Sequence, residues 1–264
     1  MSMLDSPTRL ADDGITLFNL ETAHQLVREG HAVKRGSSKS RHSELAVIVK
    51  RDDESCPTAV YNELVAARLG ELIGVPVPTG VLAEVSGEVV YASLAMSKPD
   101  AHVSHVDSRL ARVTATKYPW EAAGLFVFDV LIGNWDRLGN VKAVTGPGNI
   151  RFLVGFDHAN SLLMASSPRY FLSTKALRDG CPVLHHHMFA RHLSIPMMED
   201  WLQRIAKVPA DLFCMRCFVG RDVNIVDTTA QDYLASALEF RLRMLRSLCH
   251  EVLDRACSTI ERAK

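Results

Sequence analysis

Residues 119–132, PWEAAGLFVFDVLI, constrain this chain more than any other stretch. Pro119 suits the first position of a helix, and Gly133-Asn134 stops the helix after Ile132. The helix predicted over Trp120–Ile132 is apolar on nearly every face, so it is buried and other elements must surround it. Asp129 lies inside it, and a buried carboxylate needs hydrogen bonds; N–H groups of the following loop are the expected donors. That loop is polar and follows at once. Residues 128–140, FDVLIGNWDRLGN, therefore set a reachable loop on a rigid base.

Around this helix the chain divides into a strand-rich first half and a mainly helical second half. Glu44–Lys50 (ELAVIVK) reads as a strand, and the polar stretch Lys34–His42 (KRGSSKSRH) before it reads as a turn between two strands. Thr58 is placed to cap a helix running to Ile73, ended by Gly74 and Pro76. Val77–Val85 and Glu88–Met96 read as a hairpin about Ser86-Gly87. Pro99 and Asp100 mark a break, which puts one lobe at residues 1–98 and a second at 99–264. Asn140–Val144 and Asn149–Gly155 form a second hairpin, and Thr229–Arg262 is the clearest later helix. Trp201, Leu202 and Ile205 read as core, and the Arg241–Arg246 run reads as a solvated face.

Charge and cysteine content narrow the setting. Lysine plus arginine (30) equals aspartate plus glutamate (30), so no net charge draws the chain to nucleic acid or to an anionic membrane, and neither is an expected partner. No apolar run approaches the roughly 20 residues of a membrane span. The first twenty residues carry Asp5, Asp12 and Asp13 and lack an apolar signal core. Six scattered cysteines read as free thiols of a reducing compartment, so a cytoplasmic location is expected. Cys214 and Cys217 form a lone CxxC, read as two half-buried thiols on one helix or turn. His185-His186-His187 with His192 and Cys181 invites a zinc reading, but adjacent histidines diverge on any regular element; a polar loop is the preferred reading.

The polar residues fit one chemistry. Phosphoryl transfer needs a cradled triphosphate, a lysine on its oxygens, metal held by Asp and Asn, and a carboxylate beside the attacking hydroxyl. Gly36, Ser37 and Ser38 offer a phosphate cradle of backbone and hydroxyl donors. Lys50 ends a strand, which fixes its direction. Glu63 lies on the next helix beside Val60 and Ala67, where a charge is costly unless paired. Pairing it with Lys50 resolves the conflict; the Coulomb term is about 4 kcal/mol at 4 Å and an effective dielectric near 20, before desolvation. Asp136 is the candidate base, and Arg137 beside it can support a carboxylate or a phosphate. Asn140 and Asp157 supply the neutral oxygen and the carboxylate that suit magnesium.

Residues 61–85 (YNELVAARLGELIGVPVPTGVLAEV) and the segments FVFDVLIGNWDRLGN and FLVGFDHANSL resemble the HipA-like branch of the protein-kinase-like superfamily. More distantly they resemble phosphoinositide 3-kinases and the actin-fragmin kinase. With GSS and IVK the resemblance spans Lys34 to Leu163. It implies an α+β, two-lobed kinase-like fold with a small β-rich N-lobe and a mainly helical C-lobe. It implies ATP and Mg2+, with Lys50 on the α- and β-phosphates, Glu63 holding it, Asp136 as catalytic aspartate, and Asn140 and Asp157 as metal ligands. The strand end at Leu94–Ser97 then leads to the adenine-binding hinge, with Ala95 and Met96 against the base. The acceptor is a protein Ser/Thr or a small molecule. Three residues, where the family usually has four, separate Asp136 from Asn140, so Asn134 or Asn149 are alternative ligands. The metal motif reads FDH, no lysine follows Asp136 in the loop, and no strict GxGxxG occurs. A nucleotide-binding pseudokinase and an AMP transferase on the same fold are the rival readings.

Overall fold

The computed structural model describes residues 26–32, 41–95, 103–145, 151–165, 174, 177–178 and 186–261. Gly36, Ser37, Ser38, Met96, Asn149, Cys181, His185 and the 98/99 lobe boundary lie outside them.

Strands come first. β1 (Leu26–Ala32) pairs antiparallel with β2 (Arg41–Leu45), so the polar stretch does connect two strands, although Arg41 and His42 already belong to the second. The strand expected over Glu44–Lys50 is interrupted at Ala46, whose carbonyl accepts the Ala95 N–H at 3.0 Å. β3 (Val47–Lys50) resumes beyond it and pairs with β5 (Glu88–Leu94), which pairs in turn with β4 (Gly80–Val85). The β4–β5 turn is Ser86-Gly87, with φ of 56° and 84°, the mirror-image turn that matches strand twist.

α1 (Ala59–Ile73) packs on β4 and β5 and is buried on almost every side. Thr58 makes no side-chain cap. Asp52 caps the helix from a distance instead, its Oδ1 accepting the Val60 N–H at 2.8 Å. Thr58 Oγ1 accepts from Asn62 Nδ2 at 3.0 Å.

After β6 (Ser104–His105) and α2 (Ala111–Lys117) comes α3 (Pro119–Ile132), buried from Glu121 to its end as its composition requires. Gly133, at φ 66°, closes it in the left-handed region, with its N–H on the Asp129 carbonyl. β7 (Val141–Ala143) and β8 (Leu153–Gly155) follow, in a sheet of order β6-β7-β8. A single 3-10 turn covers Leu162–Met164. Among the described residues, the later helices include α4 (Ile195–Ala206), α5 (Ala210–Cys217) and α6 (Thr228–Glu261).

α4 and α6 both pack on α3. Gly124 makes the α4 contact close: a Cβ there would lie 2.6 Å from the Trp201 ring. That ring stacks on Trp120 at 4.7 Å, and its Nε1 donates to the Trp120 carbonyl at 2.8 Å. Trp201, Leu202 and Ile205 are buried. The solvated reading of the arginine run fails for Arg241, which is buried and donates to the carbonyls of Val130 and Leu177. A guanidinium at the carbonyl end of α3 meets acceptors that the helix itself leaves unused. Cys214 and Cys217 both lie on α5, half-buried and buried, with thiol pKa values raised by burial.

Candidate active site

Lys50 at the end of β3 points to α1. Its Nζ donates to Glu63 Oε1 at 2.5 Å and to Asp157 Oδ1 at 2.7 Å. Two carboxylates, 13 and 107 positions away in sequence, thus share one ammonium. Burial lowers the Lys50 pKa, but the charges of Glu63 and Asp157 outweigh it and the net shift is upward. Glu63 is buried, which alone raises its pKa; hydrogen bonding with His158 and the charge of Lys50 bring it down to about 2. The same Oε1 accepts the His158 N–H at 2.7 Å. Asp157 has φ 59°, a left-handed conformation that non-glycine residues rarely adopt. Burial holds the His158 imidazole below its ordinary pKa, and its Nε2 meets no hydrogen-bond partner among the described residues.

The catalytic-loop candidates sit on a buried ionic network. Asp129 receives both forks of Arg137, Nε on Oδ2 at 2.7 Å and Nη2 on Oδ1 at 2.8 Å. Asn134 Nδ2 donates to Oδ1 at 2.9 Å, and His187 Nε2 lies 2.9 Å from Oδ2. The following loop does supply N–H donors to the Asp129 carboxylate, as expected, but they belong to the side chains of Asn134 and Arg137, and His187 adds a contact from 58 positions away. Burial pushes this carboxyl up; Arg137 outweighs it and holds the group well below the usual carboxylate range. Arg137 Nη1 donates onward to the carbonyls of Asn140 at 2.9 Å and Phe156 at 2.8 Å. One guanidinium thus binds the helix, the Asp136 loop and the Asp157 loop together. Gly155 leaves it room, since a Cβ there would lie 3.0 Å from Nη1.

Asp136 and Asn140 are neighbours in space. Asn140 Nδ2 donates to the Asp136 carbonyl at 2.7 Å, across a turn in which Gly139 takes φ 82°. This engages the amide nitrogen of Asn140 and leaves its oxygen for another partner. Asn134, the alternative ligand, is fully buried and uses both ends: Nδ2 on Asp129, and Oδ1 accepting the Asp136 N–H at 3.2 Å. The Asp157 loop joins this turn through the Phe156 N–H on the Asn140 carbonyl at 3.0 Å. Hydrogen bonds, together with the peptide link between Phe156 and Asp157, thus connect Lys50, Glu63, Asp157, Asn140 and Asp136.

Of the remaining candidates, only Ala95 lies within the described residues. Its N–H goes to Ala46, which leaves its carbonyl as the polar group it offers a base. The histidine run does not behave as a polar loop at His187, which is buried on Asp129, while His186 and His192 are exposed. Among the described residues no group of three or more His, Cys, Asp or Glu is placed to hold a metal. Sequence reasoning missed Asn160, whose Nδ2 donates to Asp136 Oδ2 at 3.1 Å. The only signal was its place three residues after Asp157.

No family model matches the chain, and no curated protein matches it in sequence. Solved structures do match in fold. The Helicobacter pylori proinflammatory kinase CtkA superposes with a TM-score of 0.54 at 14% identity, over 90% of this chain and 97% of that one. HipA of Shewanella oneidensis MR-1, solved with HipB and operator DNA, superposes with a TM-score of 0.50 at 15% identity, over 96% of this chain and 69% of that one. The chain has the HipA-like kinase fold, with a small β-rich lobe and a mainly helical one.

Proposed function

We propose that this chain is an ATP-dependent phosphotransferase of the HipA-like kind. The observation that carries the reading is Lys50 held between Glu63 and Asp157, at 2.5 and 2.7 Å, from three separate elements. A lysine paired with a buried carboxylate beside a second, half-exposed carboxylate suits the binding of triphosphate oxygens and a divalent metal.

The donors present fit magnesium. Asp157 offers a carboxylate and Asn140 a neutral oxygen, the small protein share that magnesium takes beside phosphate oxygens and water. When bound, the ion neutralises charge on the phosphates. Lys50 contacts the α- and β-phosphates, and Glu63 keeps its ammonium aimed. Asp136 receives the proton of the acceptor hydroxyl as that oxygen bonds to the γ-phosphorus. The bond to the β–γ bridging oxygen breaks, and ADP leaves. Gly36, Ser37 and Ser38 cradle the phosphates, and Ala95 and Met96 meet the base. Residues 1–98 then form the nucleotide-covering lobe and 99–264 the catalytic lobe. The acceptor is a protein Ser/Thr or a small-molecule hydroxyl. The short Asp136–Asn140 spacing favoured a pseudokinase, but the Asn140–Asp136 bond closes that turn and supports an active loop.

The test is incubation with γ-labelled ATP and magnesium, followed by mass spectrometry of the chain and of added acceptors. Asp136→Ala and Asp157→Ala are expected to lose transfer by about a hundredfold or more with the fold intact. Undiminished transfer in both variants contradicts the reading. In a parallel incubation with α-labelled ATP, label that enters the acceptor from the α- but not the γ-phosphate points to AMP transfer.

A further inference from the structure

We infer that Asn160 is a positioning residue that sets the Asp136 carboxylate for proton transfer, an inference that rests on the phosphotransferase reading. The Asp136 main chain is already held at both ends: its N–H lies on Asn134 Oδ1 at 3.2 Å, and its carbonyl accepts Asn140 Nδ2 at 2.7 Å. Those bonds fix the backbone but not the side-chain torsions, which turn the carboxylate. Among the described residues the hydrogen bond that reaches the carboxylate is Asn160 Nδ2 on Oδ2, at 3.1 Å. With Oδ2 engaged, Oδ1 is the oxygen left to meet the acceptor hydroxyl.

Asn160 is itself held from two directions. On one side its carbonyl accepts the Trp135 N–H at 3.4 Å, and Trp135 Nε1 donates to the Met164 carbonyl at 3.0 Å. On the other, the Ala159 carbonyl accepts Asn62 Nδ2 of α1 at 2.8 Å, and the His158 N–H lies on Glu63 at 2.7 Å. Ser161 Oγ closes back on the His158 carbonyl at 2.5 Å. The segment carrying Asn160 is therefore anchored to the same helix that fixes Lys50. The amide transmits that anchorage to the base, 24 positions upstream. A catalytic group fixed by such support holds its geometry to fractions of an ångström.

The experiment uses the full chain with γ-labelled ATP and magnesium, reading phosphate release to water and to the chain across pH 3.5–9. Asn160→Ala removes the donor and is expected to lower kcat about tenfold or more, with KM for ATP within about twofold of wild type. Asn160→Asp is nearly isosteric and sets a second carboxylate against Asp136. Like charges at that range hold a proton between them, so the acid limb of kcat moves upward by about one pH unit. A merely structural role moves neither quantity in this way. Wild-type kcat in Asn160→Ala, or a loss in Asn160→Asp with an unmoved acid limb, overturns the inference alone. A wild-type chain that turns over no ATP overturns the phosphotransferase reading, and this inference with it.

Discussion

Glu63 carries two burdens with one carboxylate. It neutralises Lys50 and fixes the backbone of the Asp157 loop through the His158 N–H. Its pH signature follows. Its carboxyl titrates near 4.5 when unperturbed and at about 2 in the fold. The unfolded chain takes up the proton first, so the contribution to stability is present above pH 4.5 and is lost as pH falls through 2. The size is on the order of 3 kcal/mol by linkage. Glu63→Gln is expected to be less stable at neutral pH and to lose less between pH 4.5 and 3, read from denaturant melts at each pH. Parallel curves for the two proteins contradict the pairing. This pair was legible in the sequence because a charge beside an apolar seam demands a partner. Asn160 and His187 were not: each meets its carboxylate across 24 or 58 positions, and neither lies on a periodic pattern that betrays a direction.

At the scale of elements, α3 and the loop after it behave as one piece. Composition alone read the helix to within a residue, because a segment apolar all round has few places to go. The β4–β5 turn was plain from Ser86-Gly87, although β4 starts at Gly80 and not at the expected Val77, and the end of α1 was plain from Gly74. The start of α1 at Thr58 was legible too, but the source of its capping hydrogen bond was not, because Asp52 sits outside the local window. The ionic network beneath the loop was legible only in part: loop donors to Asp129 and a carboxylate partner for Arg137 were expected, while His187, 58 positions away, was not. Asp129 with Arg137 and His187 is almost wholly excluded from solvent, so removing one partner strands the others. Asp129→Ala is expected to cost about 3–5 kcal/mol in urea unfolding and to loosen the Asp136 loop. A variant within about 1 kcal/mol of wild type contradicts the role given to this network. At the α3–α4 contact, Gly124→Ala pushes a methyl into the Trp201 ring and is expected to cost about 1–3 kcal/mol by the same measurement.

Across the whole molecule, the first-half helix is tied to the last third of the chain. Tyr61 Oη donates to the Cys217 carbonyl at 2.7 Å, and Arg68 Nη1 to the Phe218 carbonyl at 3.0 Å. Arg204 Nε caps the far end of α1 at the Ile73 carbonyl, at 2.9 Å. Asn224 Nδ2 reaches Asp52 at 2.6 Å and the Val89 carbonyl at 3.1 Å. These contacts hold α1, and with it Glu63, against the helical half that carries Asp136. Asp52→Ala removes both a helix cap and one of these ties, and is expected to lower stability by about 1–2 kcal/mol. Lys50, Glu63, Asp136, Asn140 and Asp157 are proposed to surround one metal-bound triphosphate. Calorimetric titration of the full chain with ATP, with and without magnesium, tests this central proposal most directly. One-to-one binding that strengthens with magnesium, and loses that dependence in Asp157→Ala, is the expected result. No binding, or an affinity indifferent to both magnesium and Asp157, contradicts the account.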